Sequence, residues 1–558
     1  MKKIPYAVTD YKKLVYNNYY YVDKTKYIKE LETSGNILMF LRPRRFGKTL
    51  LTSMLGYYYD VSEVNEYDKL FKGTDIYKDP TPYKNNYYIL KFDFSGINTI
   101  ADDEVVISKN FYIKVKNGLT NFINKYKFAF EPVGEDAVSL FLDFLAKFEA
   151  QDLENKIYII IDEYDNFTNT LLEGTSSVFK KVLGLGGIIR TFYEVIKEYT
   201  AKSIDRVFIT GVCSISLDSM TSGFNIVADI SRNKNLNSLV GFTHNEVKEL
   251  IKNFPNNGEI YNFMEAYYDG YLFNKKSEEK VFNSTLVMYY INQYNISGER
   301  PDEYFDTNII PSFKQIKNLM MLDNNKYYEQ IRKELLENRT ISGELQSNFT
   351  LEVGINRNDV ISLLYYFGYI TICGYEENSP LILKYKVPNK VINKIFNDYF
   401  SDILKEDNID ISLVPIQVIT DELMKYGTIE KVTEYVSNIL NQSSSRTLIN
   451  FDEKYIQLIY FVLLSSSLFY STYMEYPLSG GYADLVILSN SAKMKENILI
   501  ELKYIKKKEY SNKKFRETRE KAITQLKEYS MDRRINNLPI RKYVVIFQGS
   551  EVSLLEEV

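Results

Sequence analysis

The 558-residue sequence has no tryptophan, two cysteines and one histidine, and each shortage removes a class of chemistry. Cys213 and Cys373 are too few and too far apart for a disulfide framework or a thiolate zinc site. A lone histidine, His244, excludes histidine-rich metal sites and argues against imidazole catalysis. It stands within Thr243-His244-Asn245-Glu246, the pattern of a capping box. Thr243 caps a helix, Glu246 reaches back, and His244 is only the first residue inside. A formal net charge of −4 supplies no overall basic field, so contact with nucleic acid would have to come from a local patch. Long apolar runs are missing as well. The stretch 456–468 is interrupted by polar residues and falls short of a membrane span, and no apolar signal-type segment follows the first residues. A cytoplasmic protein that does not associate with membranes is expected.

The length predicts roughly three to four domains. Short β-rich apolar runs occur at 37–41, 88–94, 157–161 and 207–211, and segments of helical periodicity at 137–148 and 177–199 separate them. Such alternation predicts a largely parallel α/β sheet. From about 243 to 400 the pattern becomes mainly helical. Within it, 358–367 reads as a helix and 369–374 with 381–387 as a hairpin, a combination compatible with a winged helix. After a further helical stretch to about 445, a last α/β unit runs helix (452–467), strand (483–488), strand (498–503), helix (516–529), strand (543–548). The expected division is therefore 1–242, 243–445 and 446–558.

The first constellation lies in Arg42-Pro43-Arg44-Arg45-Phe46-Gly47-Lys48-Thr49-Leu50, between the first strand and a helix start. A phosphate site needs backbone N–H groups curled around the anion, with a helix N-terminus behind them. It also needs a lysine for the β/γ oxygens and a hydroxyl for magnesium, here Lys48 and Thr49. Arg42 stands where the general motif has its first glycine, and Arg44 and Arg45 could add charge toward the phosphates. The partner element is the apolar strand that ends Asp162-Glu163. Asp162 would hold magnesium and Glu163 would orient or activate water. Thr210, at the end of a third strand, suits sensing of the γ-phosphate. One strand falls between the phosphate-loop and acidic strands, as in P-loop proteins with an added central strand. Hydrolysis also needs an arginine, for which Arg190 and Arg232 are candidates alongside purely structural roles.

Over residues 3–295 the chain resembles the AAA-ATPase-like family that is often fused to a PD-(D/E)XK nuclease domain. The resemblance rests on Tyr20-Tyr21-Val22-Asp23-Lys24-Thr25, the loop from Arg42 to Thr49, and Phe208-Ile209-Thr210-Gly211-Val212. Ser222-Gly223-Phe224-Asn225, Gly241-Phe242-Thr243 and Tyr268-Asp269-Gly270-Tyr271 add to it. Arg42 is that family's own version of the loop. The resemblance implies a P-loop NTPase fold that takes ATP with magnesium.

The second constellation is C-terminal: Gly481-Tyr482-Ala483-Asp484, then Ile500-Glu501-Leu502-Lys503. Strand alternation puts Glu501 and Lys503 on one face with Leu502 on the other. Two neighbouring strands can then present Asp484, Glu501 and Lys503 together. The carboxylates would bind magnesium or manganese, and the lysine would steady developing charge. Glu453, on the preceding helix, could complete the metal shell, and Gln525 and Tyr529 share one helix face. Over 450–548 this order resembles the PD-(D/E)XK nuclease superfamily in the version with a Gln-x-x-x-Tyr helix. Tyr482 replaces the arginine that often precedes the first acid, which weakens a contact on the substrate side. The lysines between 503 and 514 form the only concentrated basic stretch, either a solvated loop or a phosphate-backbone contact.

Three readings follow. The first is an ATP-regulated, metal-dependent endonuclease acting on DNA rather than RNA, in defence or in processing of mobile elements. The second is a nucleotide-dependent switch or assembly protein whose nuclease-like domain only binds. The third is a nucleotide-binding scaffold without turnover, against which the Asp162-Glu163 pair argues. Oligomerisation is compatible with all three.

Overall fold

The computed structural model describes residues 3–96, 104–165, 186–214, 224–301, 340–346, 356–406, 415–442, 452–465, 470–478, 481–489 and 496–558. It also describes 305, 327, 330–331, 334–335 and 411. The chain divides into two compact units, one of residues 1–327 and 342–391, the other of 328–341 and 392–558.

The first unit is built on strands β1 (Ile37–Leu41), β2 (Tyr87–Asp93), β3 (Lys156–Asp162), β4 (Ile204–Gly211) and β5 (Ala228–Asp229). They form one sheet in the order β2-β3-β4-β1-β5, with every pairing parallel. A parallel sheet covered on both faces needs apolar residues at consecutive positions, and all of Ile157 to Ile161 are buried. Helices Lys48–Tyr59, Glu104–Tyr126, Ala137–Glu149 and Gly186–Tyr199 supply the cover. Ala137–Glu149 starts at a capping box of Asp136 and Ser139 and buries Leu140, Phe141, Phe144, Leu145 and Phe148. Without tryptophan the core is assembled from phenylalanine and tyrosine, as where Phe92 meets Phe141 and Phe192 edge-on. Of the helix expected over 177–199, residues 177–185 lie outside the described residues.

The run at 88–94, which falls between the phosphate-loop and acidic strands in the chain, lies at the sheet edge as β2. The strand that separates them in space is β4. Register then levels the carboxyl ends: Leu41 faces Gly211, Ile161 faces Ile209, and Asp93 faces Asp162. In such sheets ligands bind beyond the carboxyl ends of the strands.

The expected helix and hairpin are present as Arg357–Tyr366, β7 (Thr371–Glu376) and β8 (Ser379–Lys386). They complete a sheet of order β6-β8-β7 with β6 (Thr340–Glu344). Asp359 to Tyr366 are all buried, so this helix serves packing and offers little surface to a nucleic-acid groove. Thr371 Oγ1 ties the hairpin to the segment before it, accepting from the Leu272 N–H at 2.7 Å.

In the second unit, helices Ile416–Tyr426, Glu430–Gln442 and Glu453–Ser465 precede a five-stranded mixed sheet. Its strands are β9 (Tyr470–Leu478), β10 (Gly481–Ser489), β11 (Asn497–Ile505), β12 (Ile540–Gln548) and β13 (Glu551–Glu557), in the order β13-β12-β11-β10-β9. Only β11 and β12 run parallel, joined by helix Asn512–Tyr529. That helix packs Ala522, Leu526 and Tyr529 onto Val486, Leu499 and Val544. The outer strands β9 and β13 are additions to the expected unit. No described helix is long and apolar enough to cross a membrane.

Candidate functional site

The turn after β1 bends through Arg45 (φ 70°) and Gly47 (φ 98°) before the helix begins at Lys48. Gly47 takes this left-handed backbone without the Cβ clash any other side chain would meet. Lys48 folds back over the turn and donates to the carbonyls of Arg42 and Pro43 at 2.8 and 2.9 Å. Burial pushes its ammonium down to about 8, against the pull of Asp165, Asp162 and Glu163. Lys48, Thr49 and Leu50 line a cavity of about 540 Å³ with Arg44, Arg45 and Glu163. Tyr20 to Val22 and Leu239 to Phe242 form other parts of the wall. Arg44 and Arg45 are exposed, whereas the Phe46 ring is buried edge-on against Tyr271 and Phe273.

Arg42 does not face this cavity as a phosphate ligand. It is 1% exposed, and its guanidinium donates to the carbonyls of Leu41, Ser231 and Leu236. It lies 4.3 Å from the Phe40 ring centroid and 4.1 Å from that of Phe273. The position where a glycine would relax the turn is instead an anchor between the end of β1 and the 231–236 segment.

Asp162 is buried at the end of β3. Its Oδ1 accepts from Thr210 Oγ1 at 2.6 Å and its Oδ2 from Thr52 Oγ1 at 3.4 Å. Glu163 adopts φ 51°, which turns the chain off the strand direction. Burial, and then Asp162, raise its carboxyl above the ordinary value. Asp165 instead clamps backbone, accepting from the N–H groups of Val212 and Cys213. Gly211 is required for this approach, since a Cβ there would come within 2.5 Å of Tyr164 and Asp165. Of the arginine candidates, Arg190 pairs with Glu194 along its own helix and Arg232 is exposed. The capping box at Thr243 and Glu246 forms as expected, and His244 Nδ1 lies 2.7 Å from the Tyr261 hydroxyl.

In the second unit, the pairing of β10 with β11 reaches Leu485 opposite Ile500, and Asp484 and Glu501 stand just beyond it. Asp484 Oδ2 accepts from the Leu502 N–H at 2.6 Å. Lys503 Nζ lies 2.8 Å from Glu501 Oε1, 3.4 Å from Asp484 Oδ2 and 3.4 Å from Glu453 Oε1. Three carboxylates thus converge on one ammonium. Burial and Glu501 push the Asp484 carboxyl well above its ordinary value, while burial raises Glu501 against the pull of Lys503. Gln525 Nε2 reaches the Tyr529 hydroxyl at 3.4 Å, and that hydroxyl donates to the Tyr482 carbonyl at 3.0 Å. The Gln-x-x-x-Tyr helix is thereby tied to the start of β10.

Residues 5–221 match the AAA-ATPase-like family, described as predicted AAA-ATPase, and residues 451–557 match the PD-(D/E)XK nuclease superfamily. The chain joins an AAA-ATPase-like domain to a PD-(D/E)XK nuclease superfamily domain. It is 26% identical over 289 residues to an uncharacterized protein in the vnfD 5′ region of Azotobacter chroococcum mcd 1. That match covers 51% of this chain and 52% of the relative, so the chain spans about half the length of the curated relative it matches. The crystal structure of Cdc6p from Pyrobaculum aerophilum aligns at 11% identity with a TM-score of 0.27, over 69% of this chain and 94% of that one.

Within the PD-(D/E)XK domain, the donor set suits a hard divalent cation. All three candidate ligands are carboxylates, and Glu501 Oε2 is buried without a hydrogen-bond partner. Lys503 is the cation they surround here. No described group of three or more His, Cys, Asp or Glu side chains stands arranged to hold a metal ion. The lysine-rich stretch is largely offset by its own acids: Lys507 faces Glu551, Lys513 faces Glu517 and Lys514 faces Glu509. Sequence reasoning did not reach Gln457, whose Nε2 donates to Asp484 Oδ1 at 2.6 Å. The available signal was an amide one helical turn after Glu453 inside an otherwise apolar run.

Proposed function

We propose that this chain hydrolyses ATP in its N-terminal domain and, under the control of nucleotide state, cleaves DNA in its C-terminal domain. The observation that carries the nuclease reading is the convergence of Glu453, Asp484 and Glu501 around Lys503 at the open end of the β10–β11 pair. Magnesium or manganese, held by those three carboxylates, would polarise the scissile phosphate and lower the pKa of the attacking water. Lys503 would then turn its charge to the phosphate, and Gln525 would orient substrate from the neighbouring helix. In the ATPase-like domain, Lys48, Thr49 and the first helical N–H groups would hold the β- and γ-phosphates. Arg44, Arg45, Phe46, Gly47 and Leu50 would shape the approach. Asp162, steadied by Thr210 and Thr52, would sit in the magnesium shell, with Glu163 orienting water. A role in defence or mobile-element processing is suggested by family analogy alone.

The deciding experiment is cleavage of plasmid and single-stranded DNA with magnesium or manganese, with and without ATP. Wild type is compared with Asp484→Ala and Lys48→Ala. Loss of cleavage in the Asp484 variant, with altered nucleotide dependence in the Lys48 variant, is expected. Undiminished cleavage by Asp484→Ala would sink the reading.

Lys48 gives a second expected result. Burial holds its ammonium down at about 8, and phosphates placed beside it favour the charged form. Between that value and the ordinary lysine range, ATP binding must therefore take up a proton, and affinity falls as pH rises. Calorimetry at pH 9 in buffers of different ionisation enthalpy measures the uptake directly. No uptake, or an affinity independent of pH from 7 to 10, would show that Lys48 does not meet the phosphates.

The switch reading keeps one observation in its favour, the ammonium of Lys503 lodged among the carboxylates. It requires nucleotide-dependent oligomer size with no metal-dependent cleavage of any nucleic acid.

A further inference from the structure

Asp484 has two oxygens and different donors on each. Oδ2 takes the Leu502 N–H from β11 at 2.6 Å and, at 3.4 Å, Lys503 Nζ, and Oδ1 takes Gln457 Nε2 from helix Glu453–Ser465 at 2.6 Å. Gln457 is 1% exposed and is the one polar residue between Ile456 and Leu464. A buried amide in an apolar helix costs free energy unless its hydrogen bonds are made. Its Nε2 is satisfied by Asp484, while its Oε1 is buried with no hydrogen-bond partner. Glu453 stands one turn earlier on the same helix face. Its Oε2 accepts from the Tyr504 N–H at 3.3 Å and its Oε1 lies 3.4 Å from Lys503 Nζ. The helix is thus pinned to the sheet at two points a turn apart, and each point is a candidate metal carboxylate.

We infer that Gln457 is a positioning residue for the divalent-cation site, orienting Asp484 and setting the reach of Glu453; this rests on the nuclease reading above. The chemistry calls for a neutral donor at this place. Lys503 already places one ammonium among these carboxylates; a second cation at position 457 would cancel more of the charge on which cation binding depends, whereas an amide fixes the carboxylate and leaves its charge intact.

The test uses the full chain with manganese alone as the probe, titrated by calorimetry against wild type, Gln457→Met and Asp484→Asn, each also melted in EDTA. Methionine matches glutamine in length and flexibility but supplies no donor. The Met variant is expected to lose about 10- to 100-fold in manganese affinity while melting as wild type does in EDTA. Asp484→Asn should bind weakly or not at all. Wild-type manganese affinity in Gln457→Met, with binding lost in Asp484→Asn, overturns the inference and leaves the nuclease reading standing. Absence of manganese binding by wild type overturns both. If the Met variant melts early in EDTA, Gln457→Asn, which keeps the amide but is one methylene too short, decides the matter. A stable Asn variant with weakened manganese binding supports the role, and one with wild-type affinity refutes it.

Discussion

Glu163→Gln is expected to slow ATP hydrolysis by about 10²- to 10⁴-fold, the usual range for removing a general base, with ATP affinity changed by no more than a few-fold. Glutamine preserves the size and hydrogen-bonding capacity of the side chain and removes only its basicity. Glu163 lines the same cavity as Lys48 and Thr49, next to Asp162, which Thr210 and Thr52 hold in place. The pH profile carries the same assignment. Burial and the neighbouring Asp162 raise the Glu163 carboxyl, and only its ionised form can act as base. Hydrolysis should therefore be full above that raised pKa and fall as pH drops through it, at a pH higher than an ordinary glutamate would give. In the glutamine variant this acid limb should disappear. Phosphate release measured across pH for both proteins is the test. A variant that hydrolyses at the wild-type rate would remove Glu163 from the chemistry, and the absence of hydrolysis in both would favour the non-turning scaffold.

The other large effect concerns stability. Arg42→Met is expected to destabilise the N-terminal unit by about 2–4 kcal/mol, the consequence of leaving two or three buried carbonyls without a donor. The guanidinium serves the carbonyls of Leu41, Ser231 and Leu236 and sits between the rings of Phe40 and Phe273. Burial lowers its pKa only to about 10, so it stays charged at neutral pH. Relief of that desolvation offsets part of the loss, so the figure stays below the sum of three broken bonds. Arg44→Ala is the control. Arg44 is exposed, so its removal should change stability by less than about 0.5 kcal/mol while weakening ATP binding. Urea unfolding of the three proteins separates the cases. An Arg42→Met protein as stable as wild type would mean that the anchor does not hold the loop.

These two residues also mark how far the sequence could be read. Gly47-Lys48-Thr49 after one apolar strand and Asp162-Glu163 after another are patterns of spacing, and spacing along a strand or at a helix start is local. So is the alternation that puts Glu501 and Lys503 on one face of β11, and so is the four-residue interval between Gln525 and Tyr529. Arg42 carries no such pattern. Its partners Ser231 and Leu236 lie about 190 residues away in the chain, so an arginine inside a basic loop gives no local sign that it is buried. The same holds for β4, which follows β2 and β3 in sequence yet lies between β3 and β1 in the sheet. It holds too for the helix Arg357–Tyr366, whose burial on all sides depends on what packs around it. Gln457 is the sharpest case. Periodicity assigns it to an apolar helix, and only the packing of that helix against Asp484, 27 residues further along the chain, gives its amide a partner. Sequence alone determined the two domain families and singled out the residues proposed to carry their chemistry, because those depend on short-range spacing. Tertiary structure decided which charges are anchors and which face a cavity, because burial and hydrogen-bond partners are supplied by segments distant in the chain.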